Sequence, residues 1–395
     1  MAFIVISSWI PRSYTHVYEI GGKLDGVGLP IEDVRIEDGL YFTVRTRDGR
    51  RVEACMTPYG LFSFKSEFGE DELSDGLLSS FSEEIRNLLV EDIFGSIQKV
   101  TYQQVKEGII PLFFHKTVFS RQFHPGNTKA VKSGKYEVYV NDQNIYSADS
   151  GLYVCGEPVA ADTGATEYFS YIVLTSSYVN HMVEVMSGIY KKILDVEVII
   201  ETEEFKAIKN VMVSIGTIRK DCSERYGKLM QAVSNFSHAE RLFKSMRLDD
   251  AQKQMSSALG IDRGFERLKD DSDYLLPLWS DVLIKNLENL DFMVNARFEL
   301  QQAIEVRKEE KEMKLLQAIF LVGVIASILT LGAMPGATIT LYSPDGVLLA
   351  EGSLISFKLE DLASFGVLAI IVSMVFFIAF NYIYFHIGKL MKDKD

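Results

Sequence analysis

Histidine and cysteine are scarce in this 395-residue chain, six of one and three of the other. Cys55, Cys155 and Cys222 stand far apart, with no CxxC spacing and no paired histidines. That argues against a zinc site and a disulfide framework and leaves free buried thiols in a reducing compartment. Positive charge is also short: 41 Lys and Arg stand against 54 Asp and Glu, a formal net charge of −13. General nucleic-acid binding needs a basic footprint, so no nucleic-acid partner is expected. The sequence holds no P-loop, no HExxH and no GxSxG, so an enzyme is not expected either. The opening "MAFIVISSWIPRSY" lacks a basic n-region and its apolar run breaks at Pro11. It reads as a first β-strand rather than a signal peptide.

What is present begins with a mixed, β-rich region of about 160 residues, read as an α+β domain. "LYFTVRTRDGRRVEACM" holds two strand-like runs joined by Asp48-Gly49, a strong hairpin signal. "KYEVYVND" and "LYVCG" read as further strands, and "LLSSFSEEIRNLLVEDIF" has apolar residues at helical spacing. The small-residue stretch "EPVAADTGATE" marks a boundary. Beyond it Phe205, Ile208, Met212, Ile215, Arg219, Cys222, Tyr226, Leu229, Val233, Phe236, Glu240 and Phe243 alternate in threes and fours. That is the seam of a long coiled-coil helix. Another long helix is expected from near Leu278, with Leu283, Leu287, Leu290, Val294 and Phe298 on one face.

Near the C-terminus stand two apolar runs, Leu315–Leu331 and Phe365–Ile387. A bilayer core of about 30 Å needs ~20 apolar residues, and the two runs are read as transmembrane helices. Arg307, Lys308, Lys311 and Lys314 precede the first, and Lys389, Lys392 and Lys394 follow the second. The positive-inside rule then places both termini in the cytoplasm of a multi-pass cell-membrane protein in contact with lipid. The helix from 278 to 331 would measure about 80 Å. Between the runs, "ATITLYSPDGVLLAE" reads as a β-hairpin turning at Ser343-Pro344-Asp345-Gly346. The expected organisation is therefore 1–160 an N-terminal α/β cytoplasmic domain, 161–314 a helical coiled coil and stalk, and 315–334 a first span. A hairpin loop at 335–362, a second span at 363–388 and a tail at 389–395 complete it.

This plan, with "LWSDVLIKNLENLDFMVNARFELQ" and "KEEKEMKLLQAIF" as its local signals, resembles the CorA-type magnesium channel family. The resemblance implies a homopentameric cation channel, a passive conductor with a divalent cation such as magnesium as cargo or ligand. The family's Gly-Met-Asn signature is missing. The matching place reads Gly332-Ala333-Met334-Pro335-Gly336, and Gly332, Met334, Pro335 and Gly336 would form the outer mouth. A heptad walk then selects Glu310, Met313, Leu316, Phe320, Gly323, Ser327, Thr330 and Met334 as pore-lining or gate residues; small residues at Gly323 and Ser327 equally suit close helix packing. CorA-like proteins without that signature are found beside type III CRISPR systems, which implies an alternative: an effector regulated by a nucleotide second messenger. Arg45, Arg47, Arg50 and Arg51, around the Asp48-Gly49 turn, are the candidate anion or nucleotide contacts, or a solvated hairpin tip. A non-conducting scaffold built on the coiled coil is the third reading.

Overall fold

In β1 (Ala2–Trp9), Ala2, Ile4 and Ile6 enter one apolar core while Val5 and Ser7 point to the opposite side, the two-residue alternation of a strand. The computed structural model describes residues 1–11, 17–133, 136–141, 151–156, 163–202, 205–332, 338–342 and 348–353. The same alternation recurs in β3 (Leu40–Arg45), β4 (Arg51–Met56) and β5 (Leu61–Phe68), while the edge strand β2 (Ile31–Ile36) is exposed along almost its whole length. β6 (Phe114–Ser120), β7 (Thr128–Ser133), β8 (Tyr136–Asn141) and β9 (Leu152–Cys155) complete a nine-stranded sheet of order β2-β3-β4-β5-β1-β6-β9-β8-β7. Neighbours are antiparallel except β6 and β9, which run parallel. Asp48 and Gly49 form the β3–β4 turn. There Gly49 takes a positive φ of 80° and donates to the Thr46 carbonyl at 2.9 Å.

Short helices cover one face of the sheet: α1 (Val17–Gly21), α2 (Asp75–Asn87), α3 (Gly95–Ile97) and α4 (Lys99–Lys106). Ser74 caps α2, accepting from the Leu77 N–H at 3.2 Å. Leu78, Phe81 and Ile85 then fall on one face and are buried. A π-helical turn, Leu88–Phe94, continues the same packing. Phe42, Phe62 and Phe64 from the strands meet these helices in a single core.

The opposite face receives longer helices: α5 (Thr163–Thr202), α6 (Phe205–Ser245), α7 (Asp250–Leu259) and α8 (Ile261–Leu278). α5, of 40 residues, packs on β1 and β6 and against α6 and α8. In α6, Ile215, Cys222, Leu229, Phe236 and Phe243 recur every seventh residue, all buried, as a coiled-coil seam requires. α7 opens with a reciprocal cap between Asp249 and Gln252 and closes at Gly260, whose φ is 65°. The sequence places a helix start near Leu278, after Pro277. Instead α8, which begins at Ile261 as the short helix read after Gly260, continues through Pro277. Proline removes one backbone donor, and the wider π-helical turn Trp279–Ile284 follows directly. Trp279 is fully buried there and donates from Nε1 to the Cys222 carbonyl at 3.3 Å.

α9 (Lys285–Gly332) follows that turn. Leu287, Leu290 and Val294 are buried and Phe298 is half exposed. The chain divides here into two units, Met1–Phe298 and Glu299–Asp395. The second holds the rest of α9 and an antiparallel pair, β10 (Thr338–Tyr342) and β11 (Leu348–Ser353). Those strands agree with the hairpin reading of this stretch; the turn at 343–346 lies outside the described residues.

Among the described residues no helix is long and apolar enough to cross a membrane. This corrects the expected fold class, a CorA-like homopentamer standing on two C-terminal transmembrane helices. The multi-pass cell-membrane localisation and the description as a transmembrane ion-transport protein fall with it. The reason is visible in α9. Eight of the ten residues directly before Leu315, "EVRKEEKEMK", are charged and all ten are exposed, so that part of α9 cannot enter an apolar layer of about 30 Å. The second run, 365–387, lies outside the described residues.

The β4–β5 turn gives a stability test. Gly60 has φ 88°, and a Cβ there would collide with the Ile10 carbonyl oxygen, which belongs to a backbone whose N–H is bound to Gly60 O at 3.0 Å. Gly60→Ala is expected to cost about 2–4 kcal/mol in urea unfolding. Gly49→Ala shares the positive φ but has open space around the added carbon; it should cost about 1 kcal/mol.

Candidate functional site

On the sheet face that carries α5, the helix reaches β1 and β6, and the outward residues of β3, β4 and β5 are polar except Leu61, which is buried in the helical core. Two transverse rows result from the strand register. Tyr41, Cys55, Ser63, Ser7 and His115 form one; Thr43, Glu53, Lys65, Val5 and Thr117 form the other. Between these rows and the start of α5, which contributes Thr166, Glu167 and Ser170, lies a cleft of about 740 Å³. Its remaining wall comes from β2. The β2–β3 pairing slips between Glu32 and Arg35, and Asp33 adopts φ 57°. A bulge of this kind turns side chains out of the strand plane, and Asp33, Val34 and Arg35 line the cleft.

Charges in the cleft are mixed. Arg51 faces Asp33 at 3.8 Å and Lys65 faces Glu53 at 3.9 Å. Both separations exceed hydrogen-bond length, so either cation can turn to an incoming anion without losing a tight partner. Lys65 also sits 4.7 Å from the Phe3 ring centroid. Arg35 is exposed and has no ion-pair partner among the described residues. At the α5 end, Glu167 Oε1 accepts from the Tyr59 hydroxyl at 2.7 Å. Burial lifts the Glu167 carboxyl above the ordinary carboxylate range; the Tyr59 bond opposes this and the Asp38 charge adds to it. Burial, with the Glu167 and Asp38 charges, pushes the Cys55 thiol up to about 12. Burial also raises Tyr41, whose hydroxyl donates to Asp38 Oδ1 at 2.8 Å.

These shifts bear on chemistry. A thiol held protonated is a poor nucleophile. His115 is fully buried, and desolvation lowers its pKa to about 3. Its Nδ1 lies 2.9 Å from Ser170 Oγ, but that hydroxyl donates to the Thr166 carbonyl at 3.0 Å. Ser170 and His115 thus form a structural pair rather than an activated nucleophile. The cleft is equipped to bind. Among the described residues no group of three or more His, Cys, Asp or Glu side chains is placed to hold a metal ion.

The four arginines read together in the sequence are parted by the hairpin. Arg51 lines the cleft. Arg45, its cross-strand partner, pairs with Glu32 at 3.7 Å. Arg47 turns away to Asp92 at 2.6 Å, and Arg50 pairs with Glu84 at 3.8 Å and lies over the Phe68 ring at 4.3 Å. Glu310, Met313, Leu316, Phe320 and Gly323 lie on α9 in the second unit, where Met313, Leu316 and Phe320 are exposed. Ser327 and Thr330 fall where α9 side chains are not described, Gly332 ends the helix, and Met334, Pro335 and Gly336 lie outside the described residues. The pore and mouth roles expected of them presuppose a membrane span. The sequence missed Arg35, Tyr59, Lys65 and Glu167. A signal existed for Lys65 alone: the polar alternation of Ser63 and Lys65 against Phe62 and Phe64.

No protein-family model matches the chain, and no curated protein matches it. The functional reading therefore stands on the cleft.

His115 provides a pH test. Its imidazole titrates near 3 in the fold and near 6.5 in an unfolded chain, by the ordinary value. Between these values the unfolded chain binds the extra proton. Stability from this group is complete above about 6.5 and falls as pH drops toward 3, by about 1.4 kcal/mol per pH unit. In urea unfolding at a series of pH values, His115→Gln should show a slope shallower by that amount below pH 6.5.

Proposed function

We propose that this chain is a ligand sensor whose cleft binds a small anionic molecule of the nucleotide class. The observation that carries the reading is the polar half-face of the sheet left beside α5. It is walled by the β2 bulge and holds Arg35, Arg51 and Lys65 with no tight partner. Arg offers a forked set of donors that suits phosphate oxygens, and Lys adds a point charge. Ser7, Thr43, Ser63 and Glu53 offer hydrogen-bond partners to ribose hydroxyls and base edges. The volume lies within the usual ~300–1,000 Å³ of small-molecule sites. A buried neutral histidine and a protonated thiol favour recognition over turnover.

Of the readings open in the sequence, this keeps the nucleotide-regulated effector, without its membrane part, and sets the channel aside. Type III CRISPR defence would be one setting for such an effector, and the genes beside this one bear on it. A scaffold needs no such cleft.

Isothermal titration with ATP, cyclic oligoadenylates, cyclic dinucleotides and inorganic phosphate tests the proposal. At least one nucleotide should bind. Arg35→Glu/Arg51→Glu should weaken it tenfold or more, about 1.4 kcal/mol or above, while Arg47→Glu, bound to Asp92 away from the cleft, should leave affinity unchanged. Absence of binding across the panel, or equal loss in all variants, would overturn it.

A further inference from the structure

We infer that Glu167 couples the cleft to the helical layer, and that its bond with Tyr59 is the contact through which cleft occupancy reaches the helices. This rests on the cleft being a ligand site. Glu167 lines the cleft from the start of α5 and takes the Tyr59 hydroxyl hydrogen at 2.7 Å. Tyr59 belongs to the β4–β5 turn, pinned from below: Trp9 Nε1 donates to its carbonyl at 2.9 Å. Its ring stacks on Tyr168 with centroids 5.9 Å apart and meets Tyr171 edge-on at 5.2 Å. Tyr168 in turn meets Phe243 of α6 at 5.0 Å, and Tyr171 meets Phe265 of α8 at 6.2 Å. One hydrogen bond therefore joins the cleft wall to an aromatic cluster that ties α5, α6 and α8 together.

The bond is suited to change. Among the described residues Glu167 has no cationic partner. The titratable groups around it are Asp38 from the β2–β3 turn, Tyr41 of β3, Cys55 of β4, Tyr59 itself and Tyr168 of α5. Of these, Asp38 alone is an acid in the same range, and its charge opposes ionisation of Glu167. A carboxylate without a counter-cation responds to any donor brought beside it, whether a ligand N–H or a proton. Either weakens the charge-assisted bond from Tyr59 and frees the Tyr59 ring to shift against Tyr168 and Tyr171. Packed aromatic clusters pass on such shifts because they have few intermediate arrangements.

A proton serves as the probe, which keeps the test independent of any ligand. Trp9 contacts Tyr59 through its indole N–H and Tyr171 through its ring, so its fluorescence reports on the bond. The full-length chain, without added nucleotide, is titrated from pH 4.5 to 8 while tryptophan emission is read and far-UV circular dichroism confirms the fold. The wild type should show a transition with its midpoint above the ordinary carboxylate value. The sign follows from the raised carboxyl: the neutral form persists to higher pH, and the bond strengthens to its charge-assisted form as pH rises through the midpoint. Glu167→Gln and Tyr59→Phe should each abolish it. A flat wild-type profile, or a transition that survives in either folded variant, overturns the inference. Failure here leaves the nucleotide titration standing, and failure there leaves this result standing.

Discussion

A nine-stranded sheet is wider than a helix can cover. With strands about 4.8 Å apart it spans roughly 38 Å, and one helix with its side chains measures about 10–12 Å. That mismatch governs the molecule. On one face several short helices share the task, and the inward residues of β3, β4 and β5 are apolar except Ser66, whose hydroxyl donates to the Arg51 carbonyl. On the other, α5 lies against β1 and β6, and α7 against β7. Strands left beside α5 cannot present apolar side chains to water without a cost of about 25 cal/mol per Å². Their outward residues are accordingly Tyr, Thr, Arg, Glu, Cys, Ser and Lys. The cleft is what an uncovered sheet half-face becomes when a bulged edge strand turns back over it.

Much of the fold was legible because strand and helix periods differ. Asp48-Gly49 marked its hairpin, the seven-residue recurrence from Ile215 to Phe243 marked α6, and Thr338–Ser353 read as paired strands. The end of α8 was not legible, because proline is an unreliable stop where a π-helical turn can absorb the missing donor. The cleft was hardly legible at all. Glu167 stands among apolar α5 residues and is 108 residues from Tyr59, so nothing local links them. The Arg45–Arg51 cluster pointed to the right hairpin but to too many of its residues: in the turn Arg47 pairs with Asp92 and Arg50 with Glu84, and Arg51 of β4 lines the cleft.

Hydropathy misled the reading in the second unit. An uncharged run is a sound sign of a span only if enough of it is available as one apolar helix. In α9 the residues directly before Leu315 are mostly charged and all exposed. The same long helix is apolar toward α6 at Leu287, Leu290 and Val294, so its character changes along its length and no single label fits it.

The position of β1 has a kinetic consequence. It is made before the other strands of its sheet, yet it lies in the middle between β5 and β6, whose pairings close loops of about 60 and 110 residues. During synthesis at ~5–20 residues per second, its β6 edge waits several seconds for a partner. Pairing of such high sequence separation is slow, so the nascent chain carries an open β1 edge until β6 is made.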